Sequence, residues 1–267
     1  MSRPAPASQT SARIDLSGQV AIVTGGTRGI GAAIARALLA AGVKVAICGR
    51  TPPESLPQSG DRSARFWPCD VRKAESVADF VDAVGAAFGR VDILVNNAGG
   101  SPPAAALTAS PRFHESILAL NLTGPIHMSQ AAARWMLRGD GGAIVNISSV
   151  SGVRPSPGTA VYGAAKAGLL GLTRSLAAEW GPQIRVNAIV VGLIDTGEQA
   201  LPYGTAEAQQ AIAQSLPARR MGAPDDIAAG VLYLASPLAA YVSGATLEIH
   251  GGGERPLFLE LVERHSR

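Results

Sequence analysis

Tyr162 and Lys166 stand four positions apart in the small-residue run YGAAK, and lysine occurs elsewhere in the chain only at positions 44 and 73. On a helix, side chains at i and i+4 are neighbours, about 5–6 Å apart. A phenol ordinarily titrates near pH 10, so trading protons near neutrality requires a fall of about 3 units, worth about 4 kcal/mol. A cation about 5 Å away supplies about 3 kcal/mol at an effective dielectric of 20, and under about 1 kcal/mol in bulk water. The spacing therefore predicts proton transfer in a partly dry pocket, with Lys166 lowering the pKa of Tyr162. Such a pair suits a carbonyl that accepts hydride and needs a proton for its developing alkoxide, or the reverse oxidation. Gly163, Ala164 and Ala165 keep the intervening surface small enough for a flat ring to approach.

A second constellation is TGGTRGIG (24–31), directly after the apolar run VAIVT. Glycines between a strand and a helix permit a tight turn and close backbone approach to a pyrophosphate, and the helix N-terminus adds free N–H groups and a positive dipole. The later run ICGRT places Gly49, Arg50 and Thr51 where an NAD site usually carries Asp or Glu, and the next carboxylate is Glu54. A ribose phosphate suits Arg50, which forms forked, charge-assisted bonds, and Arg28 in the glycine loop is placed to close on the same phosphate. The expectation is NADP(H) in preference to NAD(H).

These groups need a scaffold that gathers strand ends. Short β-rich runs at 20–24, 43–48, 64–67, 91–96, 142–148, 184–190 and 245–250 alternate with helical stretches at 30–41, 73–88, 111–137, 159–180 and 224–235. Strict alternation implies right-handed βαβ crossovers, and near-continuous apolar strands imply cover on both faces. The expected fold is one α/β, Rossmann-type doubly wound domain with a parallel seven-stranded sheet. Pro68, after ARFW, puts that strand at a sheet edge or ends it. Residues 16–253 form the domain. Residues 1–15, rich in Pro, Ala and Ser, read as a flexible tail. Residues 254–267 form a second tail whose apolar side chains pack either on a neighbouring subunit or back on their own core.

The net charge of +3 and the scattered arginines argue against a nucleic-acid partner. No run of about 18 apolar residues exists, so no membrane span is expected. Two cysteines and four histidines without ligand spacing predict neither a metal site nor a disulfide framework.

Five motifs in register resemble the short-chain dehydrogenase/reductase family over roughly residues 16–253: TGGTRGIG, CDV (69–71), NNAG (96–99), ISS (147–149) with YGAAK, and Asn121 in LALNLTG. The resemblance implies cofactor contacts from Gly25, Thr27, Arg28, Gly29, Ile30, Gly31 and Arg50, then from Asp70, Val71, Asn97, Ala98 and Gly99. Gly192, Ile194 and Thr196 would meet the nicotinamide. The family's commonest spacing selects Ser149, thirteen residues before Tyr162, as the serine that orients the substrate oxygen, leaving Ser148 as a structural hydroxyl. Tyr162 is then the general acid or base, Lys166 also holds the nicotinamide ribose, and Asn121 holds a water linking Lys166 to solvent.

Substrate contacts are expected at Ser101, Ser149, Val150, Leu193 and Tyr203, and at Leu201 in a mobile segment over 196–216 with Gly197 and Gly204 as hinges. VVGLIDT carries Val191 where the family commonly has proline. Asp140 and Gln183 occupy positions where carrier-protein-dependent ketoacyl reductases tend to be basic, and related enoyl reductases usually space tyrosine and lysine more widely. The implied activity is NADP(H)-dependent interconversion of a small carbonyl compound and an alcohol. An NAD-dependent alcohol dehydrogenase, a 3-ketoacyl-thioester reductase and a non-catalytic dinucleotide sensor are the alternatives. A cytoplasmic homotetramer or homodimer, joined through the helices at 111–137 and 159–180, is implied with it.

Overall fold

A computed structural model describes residues 14–197 and 203–266. Seven strands form one sheet: β1 (Val20–Thr24), β2 (Lys44–Gly49), β3 (Arg65–Pro68), β4 (Ile93–Asn96), β5 (Gly142–Ile147), β6 (Ile184–Val191) and β7 (Thr246–Ile249). All pairings are parallel and the spatial order is β3-β2-β1-β4-β5-β6-β7. The fold is therefore the doubly wound α/β sheet expected from the alternating pattern. Pro68 ends the edge strand β3, where its missing N–H leaves no ladder bond unmade.

Strand residues point alternately to the two faces, and the sheet builds two cores from that alternation. Ala21, Val23, Val45, Ile47, Ile93 and Val95 pack with α1 (Gly29–Ala40) and with α7 (Pro224–Ala235), through Ile34, Leu38, Ile227, Val231 and Leu234. Val20, Ile22, Ala46, Leu94 and Ile144 face the other way, onto Phe80 and Val84 of α2 (Ala74–Phe88) and Met128 and Met136 of α4 (Gly124–Met136). The long helix α5 (Ala160–Trp180) lies against β6. The chain order of strands reverses between β1 and β4, and in such sheets the crevice outside the carboxyl ends at that reversal is the ligand site.

Four features lay outside the sequence pattern. A two-residue hairpin, Gln58–Ser59 against Arg62–Ser63, precedes β3. The helix expected over 111–137 is α3 (Pro111–Leu118) and α4, joined through a π turn at Ala119–Thr123. Helix α6 (Ala206–Ser215) occupies part of the segment expected to be mobile. A last helix, α8 (Leu257–His265), follows three consecutive glycines with positive φ, Gly251, Gly252 and Gly253. Leu257, Phe258 and Val262 on α8 are 65%, 64% and 58% exposed, so the tail is not folded back on its own core. Among the described residues, no helix is long and apolar enough to cross a membrane.

Candidate active site

A cleft of about 750 Å³ opens along the carboxyl ends of the strands, lined by the glycine loop, the NNAG loop, the ISS segment and the first turns of α5. The glycine loop owes its path to a close approach. A Cβ at position 31 would lie 2.2 Å from the Gly25 carbonyl oxygen, so only glycine lets α1 start there. Gly25 itself has φ +62° and packs on Ala98. Thr24 then stitches this loop to the next: its hydroxyl accepts from the Asn97 and Ala98 amides, both at 2.9 Å, while Asn97 Nδ2 donates to the Thr24 carbonyl at 2.9 Å. Two loops 70 residues apart in sequence are thereby fixed as one wall.

No side chain caps α1, and its first turn holds no acidic residue, so its leading amides and dipole face the cleft without a built-in anion. Arg28 and Arg50, both exposed, line the same end, as does Arg72. Arg72 grips Asp70 with both arms of its guanidinium, at 2.9 and 2.7 Å. That pairing holds the Asp70 carboxyl below its usual range, and the Arg50 charge adds to the effect. Arg28, Arg50 and Arg72 thus cluster three guanidinium groups at this end around the paired Asp70 carboxylate. A glycine cradle that a Cβ would fill, an uncapped helix start and this cationic set fit the phosphates of a dinucleotide.

The chemistry-bearing groups converge at the other end. Ser148 donates to the Lys166 carbonyl at 3.1 Å and is tied into the β6 ladder, which makes it a structural hydroxyl. Ser149, one residue on, accepts from the Ser151 amide at 3.1 Å, and its hydroxyl acts on the Tyr162 phenol beside it on the cleft wall. Lys166 is buried, gives its ammonium to the Ile147 carbonyl at 2.8 Å, and sits 5.6 Å from the centre of the Tyr162 ring. Burial brings its pKa down to about 8.

Two sequence expectations need correction here. Burial raises the Tyr162 phenol above its ordinary value; the Ser149 hydroxyl lowers it in part, and the nearby Tyr203 raises it further. Lys166 does not depress it in this arrangement, because its ammonium is turned to the Ile147 carbonyl. The small residues between the pair also have another cause. A Cβ on Gly163 would lie 2.8 Å from the Ser151 carbonyl, and Ala165 is buried, so both serve packing of the helix on the ISS segment and do not line the cleft.

Asn121 lies fully buried in the π turn. Its Nδ2 donates to the carbonyls of Gly100 and Ile117, and its Oδ1 accepts from the Gly100 amide, all at 2.9 Å. It is behind the cleft wall, where a Cβ on Gly99 would meet both Asn121 Oδ1 and Lys166 Nζ. Gly25, Thr27, Arg28, Gly29, Ile30, Gly31, Arg50, Asp70, Val71, Asn97, Ala98, Gly99, Ser149, Tyr162, Lys166, Gly192, Ile194, Thr196 and Tyr203 all line the cleft. Ser101, Val150 and Leu193 do not; Val150 belongs to a small core with Leu170, Ala188 and Val190. Leu201 lies outside the described residues.

Sequence reading missed Arg72, Ser116, Asp195 and Gln209, which also line it. Their positions beside CDV, in α3, between Ile194 and Thr196, and in α6 were the available signals. It also missed a buried polar network under the site: Asn96 donates to Asn146 at 2.8 Å, and Asn146 donates to the Thr173 hydroxyl at 2.9 Å. An asparagine at or next to the end of each of two apolar strands was the sign of it.

A parallel sheet with a glycine-cradled, cation-lined crevice and a Ser-Tyr-Lys cluster defines a nucleotide-dependent oxidoreductase class, and the chain belongs to the short-chain dehydrogenase/reductase family. A family model described as enoyl-(acyl carrier protein) reductase matches residues 25–254. The chain is 42% identical over 247 residues to D-threitol dehydrogenase of Mycolicibacterium smegmatis, covering 89% of this chain and 93% of that one. It is 39% identical over 246 residues to the 3-oxoacyl-(acyl-carrier-protein) reductase FabG of Vibrio cholerae, covering 90% and 98%. Among solved structures, the aldohexose dehydrogenase of Thermoplasma acidophilum matches with a TM-score of 0.82 at 30% identity, covering 90% of this chain and 95% of that one.

Proposed function

We propose that this oxidoreductase interconverts a ketone or aldehyde and an alcohol with NADP(H), with Tyr162 as general acid in reduction and general base in oxidation. The observation that carries the reading is the contact between Ser149 and Tyr162 on the cleft wall, with the buried Lys166 ammonium beneath the phenol ring. The dinucleotide, when bound, supplies or accepts the hydride. The glycine loop and the α1 N-terminus would hold its pyrophosphate, and Lys166 its nicotinamide ribose, with Gly192, Ile194 and Thr196 alongside the ring. A substrate oxygen placed between the Ser149 and Tyr162 hydroxyls receives two hydrogen bonds, which stabilise charge as it develops there. In reduction the Tyr162 proton passes to that oxygen as the alkoxide forms; in oxidation it returns.

NADP(H) is favoured over NAD(H) because Arg28, Arg50 and Arg72 surround the end where the adenosine ribose would lie, and the one carboxylate there is already paired. Assembly as a homotetramer or homodimer and a cytoplasmic location complete the proposal. Absorbance-monitored oxidation of NADPH and NADH, in parallel against ketones, aldehydes and β-ketoacyl thioesters, tests it. Faster turnover with NADPH on at least one carbonyl is expected; turnover with NADH alone would overturn the cofactor assignment.

A further inference from the structure

The charges in the cleft are divided between its ends. The cationic side chains lining it are Arg28, Arg50 and Arg72 at the β2–β3 end, and Lys166 buried under Tyr162. The substrate end, reached from β6, presents instead Asp195, Thr196, Tyr203 and Gln209, with Ser116 of α3 also on the lining. Each of these is a hydrogen-bonding group, and the only formal charge among them is the Asp195 carboxylate. The nearest charged neighbours of Tyr203 are Glu254 and Arg154, which pair with each other at 2.6 Å and so offset one another. In sequence, the stretch from Leu193 to Ala218 contains no lysine or arginine.

A site of this make-up disfavours an anionic substrate, since a phosphate or carboxylate would meet the Asp195 carboxylate, and Arg154, the cation acting on Tyr203, is already paired with Glu254. It suits a substrate rich in hydroxyl groups. Hydroxyls of a short polyol can donate to the Asp195 carboxylate and exchange hydrogen bonds with the Tyr203 phenol and the Gln209 amide. Asp195 Oδ1 accepts from the Gly197 amide at 2.9 Å and Gln209 Nε2 donates to the Gly204 carbonyl at 3.2 Å, which leaves Asp195 Oδ2 and Gln209 Oε1 as the acceptors a hydroxyl would fill and an apolar ketone would not.

Resting on the oxidoreductase reading above, we infer that the substrate is a small, uncharged polyol or the corresponding hydroxyketone. Its reacting carbinol sits at Ser149 and Tyr162, and a second hydroxyl is held by Asp195 and Tyr203. In oxidation, the carbinol C–H bond breaks with its electron pair as hydride to the dinucleotide, and the hydroxyl proton goes to Tyr162. The products are the hydroxyketone, the reduced dinucleotide and one proton.

The test compares kcat/KM, with NADP+ and with NAD+, across C4–C6 polyols of every configuration, 2-butanol, a phosphorylated polyol and a 3-hydroxyacyl thioester. The best polyol is expected to exceed 2-butanol by about 100-fold or more, and its phosphate ester by about 10-fold. Tyr203→Phe and Asp195→Asn should each lower kcat/KM for that polyol by about 10-fold or more, and Asp195→Asn should narrow the gap to the phosphate ester. A fluorescence titration with dinucleotide reports that each variant is folded. Best turnover of 2-butanol or of the thioester overturns the substrate inference while leaving the oxidoreductase reading standing. So does polyol turnover that neither substitution changes. No turnover of any compound with either dinucleotide overturns both.

Discussion

Lys166 holds its ammonium 5.6 Å from the centre of the Tyr162 ring and spends a hydrogen bond of 2.8 Å on the Ile147 carbonyl. The arrangement places a cation under the phenol without putting it on the phenol oxygen. Burial therefore controls Tyr162 until a further positive charge arrives.

The first consequence concerns the titration of Tyr162. In the free protein its phenol is held above the ordinary value by burial, despite the opposing effect of the Ser149 hydroxyl. The positive ring of an oxidised nicotinamide beside it would favour the phenolate and bring the value down. Ultraviolet difference titration of wild type against Tyr162→Phe should show ionisation above pH 10 without dinucleotide, moving lower with NADP+. A phenol that already ionises near neutrality in the free protein would contradict the burial argument.

Stability should carry the signature of Lys166. Its folded-state pKa of about 8 lies below the ordinary 10.5, so the unfolded chain binds that proton more tightly. Folding then bears a cost that is full below pH 8 and fades as pH rises from 8 toward 10.5, worth about 3 kcal/mol at neutrality. Urea unfolding of Lys166→Met and wild type should therefore differ in pH dependence. The wild type should gain about 2 kcal/mol relative to the variant between pH 7 and pH 9.5. A constant difference across that range would mean that the ammonium is not desolvated.

Cofactor choice should reside in the arginines. Arg50→Asp is expected to invert the preference from NADPH to NADH, because it replaces a phosphate partner with a ribose-hydroxyl acceptor that repels phosphate. Arg72 acts by neutralising Asp70, which it grips at 2.9 and 2.7 Å. Arg72→Gln should weaken NADPH binding by about 10-fold, and adding Asp70→Asn should restore part of it. Fluorescence titration with each dinucleotide measures both. An unchanged NADPH-to-NADH ratio in Arg50→Asp would remove the phosphate assignment.

Thr24 predicts a structural cost with a functional echo. Its hydroxyl accepts from the amides of Asn97 and Ala98 and is almost fully buried. Thr24→Val takes the acceptor from the Ala98 amide and leaves the Asn97 amide with only the Val95 carbonyl at 3.1 Å. A loss of about 1–3 kcal/mol in urea unfolding is expected, with weaker dinucleotide binding as the two loops part.

Most of the scaffold was legible because its signals are local. Near-continuous apolar strands such as VAIVT and DILVN, separated by long amphipathic stretches, force a sheet covered on both faces. Pro68 signalled the edge position of β3, while the order of the remaining strands is seen only in the fold. The site was legible where its spacing reports geometry: Ser149 and Tyr162 line one cleft, and the glycine loop does need Gly31. Side-chain direction was not legible. Nothing in YGAAK says that Lys166 turns to a carbonyl on β5, or that Gly163 is small for the sake of Ser151. The π turn was hidden too, since ALNLT continues the helical pattern; its cause, Asn121 bonding to Gly100, joins residues 21 positions apart. Arg72 was passed over because an arginine after a strand reads as solvated until its partner is seen.

The most direct test of Tyr162 as the proton donor is the single-turnover rate of carbonyl reduction by Tyr162→Phe, measured beside wild type at saturating NADPH. Dinucleotide affinity would be determined by fluorescence on the same samples. A rate lower by about 100-fold or more, with NADPH affinity within about threefold of wild type, is expected of a lost general acid. Reduction at the wild-type rate by the phenylalanine variant would contradict the role given to Tyr162 and, with it, the chemistry assigned to this cleft.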